Sequence, residues 1–252
     1  MFSSNPFTLL AEYLPPYVMQ VYVLLMVIAV IAGTLSDLHH KGSGEYFALR
    51  RRRARAAAQR QLGAGEMAVL AIRTLASEVA TSGEFDKWRR RLSHLLMSYG
   101  FVIYLVTTIL MVFVYPSAAP TPTVVTALWN VGALMVLAGG GWFFFVLRAD
   151  VARERHSPFD LVRADLFIGA LLASAAAGLI WHFVQTAQGG AVASMVAFGV
   201  YIAFTTLLFG SVRWSKFAHM FYKPMAAFQK RVEEANGSSD LPRPADGSNI
   251  AS

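Results

Sequence analysis

Five apolar runs decide what this chain can become. They cover residues 17–35, 95–115, 124–147, 166–184 and 191–212, and their middles contain almost no ionisable side chains. At about 1.5 Å of rise per residue, each is long enough as a helix to cross a hydrocarbon core of roughly 30 Å. Backbone in lipid must satisfy its own hydrogen bonds, and a helix does so within the segment. The expected fold is therefore all-α integral membrane, with five transmembrane helices. A chain of 252 residues with 56% hydrophobic and 15% charged residues also has too little polar surface to coat a soluble globule.

The connections set the orientation. Residues 41–93 carry 12 Lys or Arg against 5 Asp or Glu, and further basic residues follow the third and fifth runs. The other two turns, PSAAPTPT and QTAQGG, carry no charge. Positive charge is retained inside, which places the N-terminus outside and the C-terminus in the cytoplasm of a plasma (inner) membrane protein. One membrane domain is expected over 1–235, with a cytoplasmic basic loop over 41–93. A Ser-, Pro- and Gly-rich tail over 236–252 is expected to be disordered. Within the loop, GEMAVLAIRTLASEVA spaces Met67, Leu70, Ala71, Leu75 and Val79 along one helical face. The opening residues lack a basic n-region and a small-residue cleavage pattern, so the first run is expected to stay in the mature protein.

Cysteine is absent, so disulfides, thiolate iron–sulfur ligation and a zinc ribbon are excluded from this chain. The net charge of +7 is explained by the inner loops and anionic lipid rather than by nucleic acid.

The histidines carry the remaining chemistry. His94 opens the second run and His219 follows the fifth, so the topology places both near the cytoplasmic face. Two imidazoles at one depth on different helices suit the axial positions of a b-type haem. Arg90 and Arg91 precede His94 by a helical turn, and Arg213 and Lys216 precede His219, so each histidine has cations placed for haem propionates. The alternative is a juxtamembrane basic segment snorkelling to headgroups, with the histidines serving packing. His182 lies alone near the outer end of the fourth run, where it is a second ligand candidate or a partner for a neighbouring helix. His39 and His40 close the first run on the inner side as competing ligands or quinone contacts. His156 lies in a charged loop and is expected to be solvated.

Two segments, RRRLSHLLMSYGF preceded by SEVATSGEFDKW, and SVRWSKFAHMFYKPMAAF, resemble the haem-bearing segments of a five-helix cytochrome b superfamily. That superfamily includes the nitrate reductase gamma subunit and the membrane subunits of heterodisulfide reductases and related quinone-interacting complexes. The resemblance spans most of residues 17–230. It implies a haem b subunit that relays electrons between menaquinone or ubiquinone and a cytoplasmic iron–sulfur partner, with a flavoprotein as a further possible subunit. It also implies that the substrate's catalytic site lies on a partner, and it puts His94 and His219 on the ligands of the inner haem. Where two-haem members hold an outer pair, this chain has Tyr104 and Tyr201, so one haem b is expected. Quinone is expected beside the inner haem, near Tyr99, Tyr222 and Lys216, with Phe101, Phe217 and Phe221 along its ring. The competing reading is a haem-free membrane anchor, or a small transport or assembly protein.

Overall fold

The computed structural model describes residues 4–40, 43–80, 88–116, 120–147, 165–212, 214 and 219–239. Among them the regular structure is entirely helical: α1 Pro6–Leu10, α2 Pro16–His40, α3 Ser43–Ala56, α4 Ala64–Thr74, α5 Trp88–Ile109, α6 Thr123–Trp142, α7 Leu166–Thr186, α8 Ala191–Gly210 and α9 His219–Asn236. Wider π-helical turns extend α4 over Leu75–Ala80, α5 over Leu110–Val114 and α6 over Phe143–Leu147. Five helices, Pro16–His40, Trp88–Val114, Thr123–Leu147, Leu166–Thr186 and Ala191–Gly210, are long and apolar enough to span a membrane. The second begins earlier than the apolar run suggests, so His94 lies well inside a helix rather than at its threshold.

The chain divides into two compact units, Met1–Asp37 with Glu84–Ala218, and Leu38–Gly83 with His219–Ser252. The basic stretch 41–93 contains the amphipathic helix expected within it, α4, and a further helix, α3.

In the first unit, α5 and α6 pack closest, and glycine is the reason. A Cβ on Gly139 would lie 2.7 Å from Leu96 Cβ, Met97 N and Ser93 O. On Gly132 it would lie 2.8 Å from Tyr104 N, and on Gly100 2.8 Å from Gly132 O and Val136 N. Only residues without side chains let the two backbones touch, and lipid supplies no hydrophobic force that would otherwise hold them. Ser93 completes the seam by donating its hydroxyl to Gly139 O at 2.8 Å. The helix α2 packs differently. Most of its apolar side chains are exposed, only Met19 and Asp37 are buried, and polar contacts hold it. Gln20 Nε2 donates to Val112 O at 3.2 Å, and the Tyr22 hydroxyl donates to Ile202 O at 3.3 Å.

The second unit contains α3, α4 and α9. Helix α3 has little apolar periodicity, but its alanines and arginines are good helix formers. Arg50 pairs side-on with Glu233 of α9, through Nε to Oε1 at 2.8 Å and Nη2 to Oε2 at 2.6 Å. Gln229 Nε2 donates to the same carboxylate at 3.0 Å. The last carbonyls of α9 are satisfied from outside the helix, Asn236 O by Gln59 N at 2.9 Å and Ala235 O by Arg60 Nε at 2.9 Å. On α4, Met67, Leu70 and Ala71 are half-buried as their spacing predicts, but Leu75 is 55% exposed. The wide turn starts at that residue, and its larger circumference breaks the 3.6-residue register.

The guanidinium of Arg50 holds the Glu233 carboxyl below its ordinary 4.5. A carboxyl held down in the folded state stabilises it above that value and loses the contribution as pH falls through it. Acidification below about pH 4.5 is therefore expected to loosen the contact between α3 and α9, seen as faster amide exchange in Ser43–Ala56. Glu233→Gln is expected to cost about 1–2 kcal/mol at neutral pH and to flatten that pH dependence.

Candidate functional site

The haem reading rests on the helix end that begins at Trp88. There Trp88 packs edge-on to Trp142 with ring centroids 6.3 Å apart, and the Arg89 guanidinium lies 5.7 Å from the Trp88 ring. An indole pair with a cation over it suits the boundary between lipid and water. His94 sits six residues along, about 9 Å from the helix start, and is half-buried. Its Nδ1 lies 3.4 Å from Ser98 Oγ one turn further on. A polar contact at Nδ1 orients an imidazole with Nε2 as the ligating nitrogen. Arg90 and Arg91, one turn before His94, are exposed. This donor set, one oriented imidazole with two guanidinium groups beside it, fits one axial position and the propionates of a haem.

Arg213, Lys216 and Phe217 lie outside the described residues, as does His156, and of His219 and Phe221 only the backbone of α9 is described. His39 and His40 are exposed at the end of α2. Among the proposed quinone contacts, Tyr222 is half-buried on α9, Tyr99 is 46% exposed, and Phe101 is buried in the core of the first unit. Two residues on a helix are separated by about 200°, so Tyr99 and Phe101 point to opposite faces of α5. Tyr99 lies on the exposed face and Phe101 on the buried one. Among the described residues no group of three or more His, Asp or Glu side chains is placed to hold a metal ion.

The other half of the bundle is a closed aromatic core. Tyr104 comes ten residues after His94, about 15 Å further along α5. It stacks on Trp129 with centroids 5.0 Å apart, and Tyr201 stacks on Trp181 at 5.6 Å. Gly178 lies between the pairs, where a Cβ would be 2.5 Å from the Tyr104 hydroxyl and 3.3 Å from Tyr201. Trp129 and Trp181 have no exposed surface. At this depth the residues do not fit a second porphyrin, because two tyrosines and two indoles fill the space it would need.

His182 belongs to this core and is fully buried. Its Nδ1 lies 3.1 Å from Asn130 Oδ1, and Asn130 Nδ2 donates to Thr126 O at 2.8 Å, which fixes the amide's orientation. The imidazole also lies edge-on to Trp129, with centroids 5.7 Å apart. Of the two sequence readings, these contacts favour a helix-to-helix hydrogen bond over ligation. Sequence reasoning missed Asn130, although it is the sole asparagine between residues 16 and 212 and so a natural partner for a buried imidazole. His182→Leu is expected to lower stability by about 1–3 kcal/mol, because it strands the Asn130 carbonyl. Thermal unfolding in detergent checks this.

Comparison with protein-family models, with curated proteins and with solved structures finds no match to this chain.

Proposed function

We propose that the chain is the haem b membrane subunit of a multi-subunit oxidoreductase, relaying electrons between membrane quinone and a cytoplasmic iron–sulfur partner. The observation that carries the reading is His94, half-buried near the start of a membrane-spanning helix, with Arg90 and Arg91 exposed one turn before it and Ser98 at its Nδ1. His219 is the proposed second ligand, with Arg213 and Lys216 as its cations. A haem bound there supplies one-electron transfer. His94 and His219 would hold the iron, and Arg90, Arg91, Arg213 and Lys216 would meet the group's carboxylates.

The packed core around Tyr104, Trp129, Trp181 and Tyr201 supports one haem rather than two. Electrons would then enter and leave near one face, and the relay would move no charge across the whole membrane. A soluble acidic partner is favoured by α3, where Arg51, Arg52, Arg53 and Arg55 are exposed and make no ion pair among the described residues. Such a cationic ridge steers an acidic surface toward it.

A dithionite-reduced minus oxidised spectrum of the purified chain, with a pyridine haemochrome titration, tests the reading. The expected result is a b-type spectrum at about one haem per chain. Two haems would overturn the account of the aromatic core. None, in protein made with haem available and kept with its partners, would favour a haem-free anchor.

A further inference from the structure

At the bundle end opposite Trp88, a cleft of about 210 Å³ opens between the segment that follows α1 and the turn joining α7 to α8. Drug-sized ligands occupy about 300–1,000 Å³, so this cleft suits a head group rather than a whole cofactor. Its chemistry is unusual for its surroundings. Residues 1–16, 115–123 and 185–191 contain one charged side chain, Glu12, and Glu12 lines the cleft. It is exposed and makes no ion pair among the described residues.

A second acceptor belongs to another residue of the lining. Gln185 Nε2 donates to Pro6 O at 3.2 Å, which leaves Gln185 Oε1 buried with no hydrogen-bond partner among the described residues. A buried acceptor without a donor costs about 1–3 kcal/mol, a penalty that a donating ligand removes. The turn is held in a costly shape as well. Gln188 has φ +54°, a left-handed conformation that costs a residue with a side chain about 1–2 kcal/mol. Strain of this kind clusters at ligand sites. The turn ends at Gly190, which opens α8 without a side-chain cap, so the first amides of a 20-residue helix present their positive end beside the cleft.

The cleft is therefore lined by a carboxylate on the segment after α1 and, on the α7–α8 side, by Gln185 and the uncapped start of α8. It sits at the ends of apolar helices, and Leu9 adds an apolar wall. We propose that it holds the phosphoethanolamine head of a membrane phospholipid, with the ammonium on Glu12 and Gln185 and the phosphate toward the N-terminus of Ala191–Gly210. This site does not depend on the electron-relay reading. It would tie the segment after α1 to the α7–α8 turn through a molecule drawn from the bilayer.

The test is thermal unfolding of the delipidated full chain in detergent with added phosphatidylethanolamine, phosphatidylcholine or phosphatidylglycerol. Phosphatidylethanolamine at a hundredfold excess over its Kd is expected to raise Tm by about 5 °C or more. Phosphatidylcholine has no N–H to donate and phosphatidylglycerol has no cation, so neither should match it. Glu12→Gln is expected to raise the Kd about tenfold and so roughly to halve the shift at the same lipid concentration. Equal shifts with all three lipids, or an undiminished shift in Glu12→Gln, would overturn the proposal. Native mass spectrometry of the unaltered protein gives an independent reading should the variant misfold. Retained phosphatidylethanolamine above its share of the membrane supports the site, and retention in simple proportion to membrane composition refutes it.

Discussion

Gly139→Val is expected to separate α5 from α6 and to cost the bundle about 3 kcal/mol or more, among the largest effects any single substitution would have here. The added side chain would begin 2.7 Å from Leu96 Cβ, Met97 N and Ser93 O. Two of those atoms are backbone and the third is fixed to it, so none can swing aside. The helices would have to part, and parting them also breaks the bond from Ser93 Oγ to Gly139 O. Gly141→Val is the control, because a Cβ there meets nothing within 4 Å. Thermal unfolding in detergent should show a large loss for the first variant and a small one for the second. Similar losses in both would mean that the seam is not what holds this pair.

His94→Ala and His219→Ala, made separately, are each expected to remove bound haem almost completely while the chain still inserts. On the proposed reading each variant deletes one of the two nitrogens that would hold the iron, and alanine leaves no ligand in its place. The pyridine haemochrome yield should fall from about one per chain toward zero, and quinone-linked activity of the assembled complex should fall with it. His39→Ala and His40→Ala should retain the haem. Full haem in both the His94 and His219 variants would sink the assignment. Arg91→Gln gives a finer reading: if the guanidinium meets a propionate, the haem stays bound and its reduction potential falls, since a nearby cation favours the added electron. An unchanged potential would leave Arg91 with no part in the site.

What could be read from the chain alone follows from the physics of lipid. Apolar length reveals each span, and the five helices begin and end within a few residues of the expected runs, apart from the longer ends at His40 and Trp88. Pro16 opens α2 as a proline without an amide donor should. Pairing was less legible, because a glycine can serve as seam, turn or spacer. Within the run Gly139–Gly141, the first meets α5, the second lies against Leu172, and the third faces open space. The three residues lie within one helical turn, and which face meets a neighbour is fixed only once the helices are packed. His182 shows the same limit. Its burial followed from the sequence, but Asn130 lies 52 positions away and nothing in local spacing connects them. Helix α3 was not anticipated, since a run of arginines has no apolar stripe and its anchor is Glu233, 183 residues later.

The loose seating of α2 has a consequence for how this protein would diverge over time. A helix whose apolar side chains mostly face away from its own bundle is constrained by oiliness and length, not by shape. Its leucines, isoleucines and valines are interchangeable coinage. A saturation library across Pro16–His40 should therefore tolerate nearly every aliphatic exchange and be intolerant mainly at Met19, Gln20, Tyr22 and Asp37, the residues with polar or buried reasons to stay. Drift would erode the rest of this segment's similarity to its kin long before it altered the span.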